Sequence, residues 1–167
     1  MIDCKIFFRR SILMIFFSIL AVTSPICSQI KVELPKIKCE ANSEIYGTIK
    51  IGLVTDYKVV AFQFALYYDK DFVSITGADV NECLTTGNMI VFNADTLNGK
   101  IIVAYASAAP LIGEGALLKL KIKALKRGVS KLTTVGPKGE TFMLNAGNPN
   151  SAVKEGEIIV GEEEGKR

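Results

Sequence analysis

The acidic side chains at Asp69, Asp71, Asp79 and Glu82 are the first residues whose spacing suggests chemistry. Oxygen ligands at such intervals can hold calcium. No EF-hand pattern surrounds them, and Lys70 sets an ammonium between the first two carboxylates. Turn-forming aspartates, which hydrogen-bond their own backbone two residues on, account for them better. Paired carboxylates also serve glycosidases, but nothing in the sequence sets two of them across a cleft. The chain contains no histidine. That removes the commonest general base and the commonest metal ligand together. Ser-His-Asp and Cys-His nucleophile systems are excluded, as are His-ligated zinc sites. Gly113-Glu114-Gly115 and Gly136-Pro137-Lys138-Gly139 are short glycine-containing stretches. Neither opens a helix that could cradle a phosphate, so both read as turns. The sequence therefore predicts no catalytic residue, no metal and no cofactor.

The residues that must position any site begin after an unusual N-terminus. Lys5, Arg9 and Arg10 precede an apolar run from Ser11 to Val22, and small residues follow up to Ser28. This is the layout of a secretory signal peptide, with cleavage expected near Ser28–Gln29. The run is shorter than the ~20 residues that span a bilayer. Residues 1–28 carry a net charge of +2 out of the chain's +3, so the rest is nearly neutral. A nearly neutral domain lacks the basic stripe of a nucleic-acid binder. The remaining length, with 49% hydrophobic residues in the whole chain, suits one globular domain over 29–161. Residues 162–167 read as a polar tail. Cys39 and Cys83 are the cysteines beyond the export segment. Export permits a disulfide between them, closing a loop of about 44 residues worth very roughly 4 kcal/mol. Two unpaired thiols fit the sequence equally well.

From Gln29 onward, turn residues recur between β-rich runs, which predicts an all-β sandwich or barrel. Ile30–Ile37 alternates until Pro35, the pattern of an edge strand. Ile45, Gly47, Ile49, Ile51 and Leu53 share one face of the next. Along 59–69, Phe62, Phe64, Leu66 and Tyr68 form a heavy face, and Ala61, Gln63, Ala65 and Tyr67 a light one. Short strands are expected at 72–75 and 89–93. Asn98-Gly99 predicts a two-residue hairpin into a strand over 100–107. Leu118, Leu120, Ile122 and Ala124 alternate with Lys119, Lys121 and Lys123. That periodicity puts the lysines on one solvated face, as at a guarded sheet edge. Strands at 131–135, 141–144 and 157–160 complete about nine. Two antiparallel sheets packed face to face would bury the aliphatic sides.

This pattern resembles a cohesin module. Val60 to Asp69 followed by Phe72-Val73-Ser74-Ile75 is similar to the central cohesin strand, its Tyr-Asp ending and the short strand after it. Gly99 to Ala106, Gly115 to Ile122 and Glu155 to Val160 resemble later cohesin strands. The resemblance covers roughly Ile30 to Val160. It implies an all-β, nine-stranded antiparallel β-sandwich with jelly-roll topology that binds a dockerin-bearing partner through a sheet face, in polysaccharide degradation or cell-surface assembly. Carried onto this chain, the partner-binding positions are Ala61, Gln63 and Ala65 on one strand and Val103, Tyr105 and Ser107 on its neighbour. Tyr105 would be the anchor, since tyrosine is enriched at interface hot spots. A carbohydrate-binding module of the same superfamily is the alternative. It is ranked lower because the chain has no tryptophan to stack on a polysaccharide. A structural surface component with homotypic edge pairing is a third reading.

Overall fold

The computed structural model describes residues 29–135 and 142–161. The expected export segment at 1–28, the expected turn at 136–139 and the expected tail at 162–167 lie outside the described residues. Twelve strands are described: β1 (Ile30–Glu33), β2 (Lys36–Glu40), β3 (Glu44–Ile51), β4 (Ala61–Tyr67), β5 (Val73–Asp79), β6 (Met89–Asp95), β7 (Lys100–Ala106), β8 (Gly115–Ala124), β9 (Gly128–Leu132), β10 (Met143–Leu144), β11 (Ser151–Lys154) and β12 (Gly156–Gly161). One layer is a five-stranded sheet in the order β11-β1-β3-β8-β5. The other contains β10-β4-β7-β6 and β2-β12-β9. An antiparallel bridge from Tyr67 to Thr133 ties β4 to the chain just after β9.

Alternation builds the core. Side chains along a strand point to opposite faces, and the inward sets here are consistently the bulkier ones. Phe64, Leu66, Ile101 and Val103 come from one layer, and Ile49, Ile75, Leu118, Leu120 and Ile122 from the other; all are buried. Four stacked rings lie among them. Phe62 is 4.8 Å from Tyr105 and 5.7 Å from Phe142, and Phe142 is 4.9 Å from Phe64. Such pairs contribute about 0.5–1.5 kcal/mol beyond their area burial.

The all-β sandwich is as the sequence predicts; its count and polarity of strands are not. The strand expected over 30–37 is split at Leu34–Pro35, and the chain after it joins another sheet. Residues 30–33 pair in parallel with 151–154, and 36–40 pair in parallel with 157–161, at one constant offset. The two segments therefore cross between layers side by side. At the crossing the Leu34 N–H donates to the Lys154 carbonyl (3.0 Å), and the Glu157 N–H donates to the Pro35 carbonyl (2.9 Å). β11 has no clear sequence signal, and because it covers β1, the first strand is not an edge. Nor are the three lysines at an edge: β8 lies between β3 and β5. Their alternation is real. Lys121 reaches Glu44 (3.4 Å), and Lys119 reaches Glu82 (3.2 Å), which raises the Lys119 pKa. Exposed pairs of this kind are screened by solvent and contribute little. The Asn98-Gly99 turn is also longer than predicted. Asp95 lies opposite Lys100, so Thr96–Gly99 is a four-residue loop, held by the Asn98 amide on the Asp95 carboxylate (2.7 Å).

The crossing makes a sharp demand at Gly156, where an added β-carbon would run into the Pro35 carbonyl oxygen and lie 2.8 Å from the Leu34 side chain. Overpacking against backbone costs about 1–3 kcal/mol. We expect Gly156→Ala to lower the urea midpoint accordingly. Gly52→Ala, whose β-carbon finds ordinary contacts from 3.6 Å outward, should leave it nearly unchanged.

Candidate functional site

The candidate site is the outer face of the β4-β7-β6 sheet. Residues directly opposite in antiparallel strands share a face, so the register lays the surface out in rows. Ala61, Ala106 and Met89 form one row, and Gln63, Ala104 and Val91 the next. Ala65, Ile102 and Asn93 follow, and then Tyr67, Lys100 and Asp95. Met89 is 68% exposed, Val91 56% and Ile102 46%. The centre is thus small or aliphatic, and Gln63 supplies its amide. Charge appears at one end, where Lys100 sits 5.2 Å over the Tyr67 ring. Beside it, Lys70 donates to the Leu97 carbonyl (2.6 Å). At the other end of β4, Asn145 Oδ1 accepts the N–H groups of Val60 (2.9 Å) and Ala61 (3.1 Å), while its amide donates to the Lys58 carbonyl (3.0 Å). Asn145 thereby fixes where β4 begins, a role with no signature in the sequence.

The light face of β4 is outward as predicted: Gln63 is exposed, Ala61 half-buried, and Ala65 lies in the same row system though buried. The neighbouring strand is turned the other way. Val103 is wholly buried and Tyr105 is 3% exposed, so both belong to the core and neither can touch a partner. Tyr105 lies opposite Phe62 and stacks on its ring. The outward residues of β7 are Ile102, Ala104 and Ala106. Ser107 follows the strand and ends it: its hydroxyl donates to Asn88 Oδ1 (2.9 Å) and accepts the Ala109 N–H (3.1 Å). Met89 and Val91 are part of the surface that sequence reasoning missed. The signal that could have found the β7 face is the one used on β4, the lighter alternating set outward. On β6 only the second half carries such a signal, Asn93 and Asp95 alternating with Phe92 and Ala94, while Met89 to Val91 is apolar on both faces.

The acidic residues are turn formers. Asp69 Oδ1 accepts the Asp71 N–H (3.0 Å), and Asp79 Oδ1 accepts the Asn81 N–H (2.9 Å). The 39–83 disulfide is not formed; Cys39 and Cys83 are both free thiols. Cys39 is on β2, and Cys83 sits in the loop after β5. Burial pushes both thiols above their ordinary pKa, which keeps them protonated and slow to react at neutral pH.

No family model and no curated protein matches the sequence. Solved structures do. A cohesin from Clostridium thermocellum, in the Coh-OlpA-Doc918 cohesin–dockerin complex, matches with a TM-score of 0.68 at 14% identity, over 80% of this chain and 100% of that one. A non-cellulosomal cohesin from the archaeon Archaeoglobus fulgidus matches at 0.64 and 18% identity, over 82% and 94%. The solution structure of CaCohA2 from Clostridium acetobutylicum matches at 0.65 and 18%, over 80% and 91%. The fold of this chain is cohesin-like.

Two outcomes test these placements. The Tyr105 hydroxyl is buried with no hydrogen-bond partner among the described residues. Removing such a group is neutral or favourable, whereas emptying an aromatic core site costs about 3–5 kcal/mol. Chemical denaturation should therefore find Tyr105→Phe at least as stable as the parent and Tyr105→Ala severely weakened. For the thiols, alkylation in denaturant without reductant should label both Cys39 and Cys83 in peptide mapping. A peptide cross-linked between the two would contradict the structure.

Proposed function

We propose that this chain is a secreted, non-catalytic module that captures a dockerin-bearing partner on the outer face of β4, β7 and β6. The observation that carries the reading is the exposed patch of Met89, Val91 and Ile102, which occupy three successive rows of a sheet face otherwise made largely of small residues. Apolar side chains exposed together in this way mark interaction surfaces. The cohesin-like fold supports the choice of partner, since matching structures include cohesins in complex with dockerins. A flat apolar centre suits a helix laid across it, burying aliphatic side chains with Gln63 positioned to bond a backbone or amide group. The absence of histidine and the turn-forming role of the aspartates favour binding over catalysis. Export is inferred from the N-terminal sequence, and attachment of enzymes for polysaccharide breakdown is the broader role that such a module would serve. Among the described residues, no helix is long and apolar enough to cross a membrane.

Calorimetry against dockerins encoded in the same genome tests this directly. At least one should release saturable heat at tens of micromolar protein. Ile102→Asp, which places a charge in the middle of the face, should then cost about 2 kcal/mol or more of binding, with thermal stability unchanged. Heat from none of the dockerins, or full affinity in Ile102→Asp, would refute the assignment.

A further inference from the structure

The other layer of the molecule carries a concave feature. β1 pairs with β3 only through Val32–Ile51 and Glu33–Lys50. Beyond Glu33 the chain turns at Leu34–Pro35 toward the other layer, and β3 continues to Glu44 without that neighbour. The divergence opens a trough of about 380 Å³. Its lining includes Tyr46, Thr48 and Lys50 along β3, with Glu33, Lys36 and Lys154 opposite.

Three properties of the trough point to one kind of ligand. First, its edge is unpaired backbone. The Gly52 N–H donates to the Lys31 carbonyl (2.8 Å), and Lys50 lies opposite Glu33. Backbone groups alternate sides along an antiparallel strand, so those of Thr48 and Tyr46 point the same way, into space that β1 has left. Second, its charge is positive. Lys154 is matched by Glu33 (3.2 Å), but Lys36 and Lys50 make no ion pair among the described residues. Third, Tyr46 is 57% exposed at the trough wall, offering an amphipathic ring. A phosphate chain would use the ammoniums but not the ring. A neutral glycan would use the ring and the backbone groups but leave two ammoniums idle. A pyranose chain bearing carboxylates uses all three: an apolar ring face against Tyr46, hydroxyls on the open backbone groups, and carboxylates on Lys36 and Lys50.

We propose that this trough binds an acidic saccharide, a uronate-containing oligomer, independently of the face on β4, β7 and β6. The site lies on the outer surface of the five-stranded sheet, so both surfaces can be occupied at once.

The test titrates the full chain at low salt with oligogalacturonate, with cellohexaose and with polyglutamate. Saturable binding to oligogalacturonate is expected, with cellohexaose and polyglutamate each at least about tenfold weaker. Tyr46→Ala and Lys50→Ala should each weaken the oligogalacturonate affinity by about tenfold, while Tyr46→Phe retains it. Both residues are exposed, so these variants should fold, and parental thermal unfolding verifies it. Ile102→Asp should leave the saccharide affinity unchanged, which separates this site from the dockerin reading. No binding to oligogalacturonate overturns the proposal. So does equal binding of polyglutamate, which would mean charge alone, or of cellohexaose, which would mean no role for the lysines. An unaltered affinity in Tyr46→Ala overturns it as well.

Discussion

Phe62 and Tyr105 lie directly opposite one another across β4 and β7, their rings 4.8 Å apart and nearly parallel. Much of the molecule's outward chemistry follows from that contact. Because side chains alternate strictly along a strand, two rings facing inward at this row force Gln63 and Ala104 outward at the next, and Ile102 outward two residues from there. A slip of one residue would expose Phe64 and Val103 and bury an amide. Phe142 lies against both Phe62 and Phe64 and extends the aromatic layer beyond the two strands. The exposed surface is therefore a by-product of how the rings stack.

The two outer faces of the sandwich differ in kind. Along β8 the outward residues are lysines, two of them in loose pairs, Lys121–Glu44 and Lys119–Glu82. Such a surface is well hydrated and costly to cover. Across β4, β7 and β6 the outward residues are mostly alanine and aliphatic side chains, which hold water weakly. A single protein of modest size thus presents one side that is charged and hydrated along β8 and one side that loses little by meeting another surface.

Much of the fold was legible in the sequence because alternation is a strong signal where the two sets differ in size or polarity. It placed the lysines of β8 on one face and the phenylalanines of β4 inside. It was weak on β7, where Ile101, Val103 and Tyr105 alternate with Ile102, Ala104 and Ala106 and both sets are apolar. There the expected docking residues Val103 and Tyr105 fall on the wrong face. On β6 it separated the faces only at Asn93 and Asp95, and not at Met89 and Val91. What depends on distant contacts was not legible. β11 is recognisable only by the β1 strand beside it, and Asn145 only by the unpaired start of β4, 85 residues away in sequence for Val60. The cysteines show the same limit: spacing permits a bridge, but Cys39 on β2 and Cys83 in the loop after β5 are unbonded.

The parallel pairing of the terminal segments has a mechanical consequence. β1 begins beside Ser151, and β12 ends beside Glu40. Ile30 and Gly161 therefore lie at opposite ends of the paired ribbon, whose contour is about 35 Å at ~3.3 Å per residue. Tension applied between these two points runs along the strands and not across them. The hydrogen bonds joining the segments are then loaded together in shear, so that many must fail at once, whereas strands peeled from one end fail in turn. A partner held on the face of β4, β7 and β6 would ride on strands that lie outside this line of force.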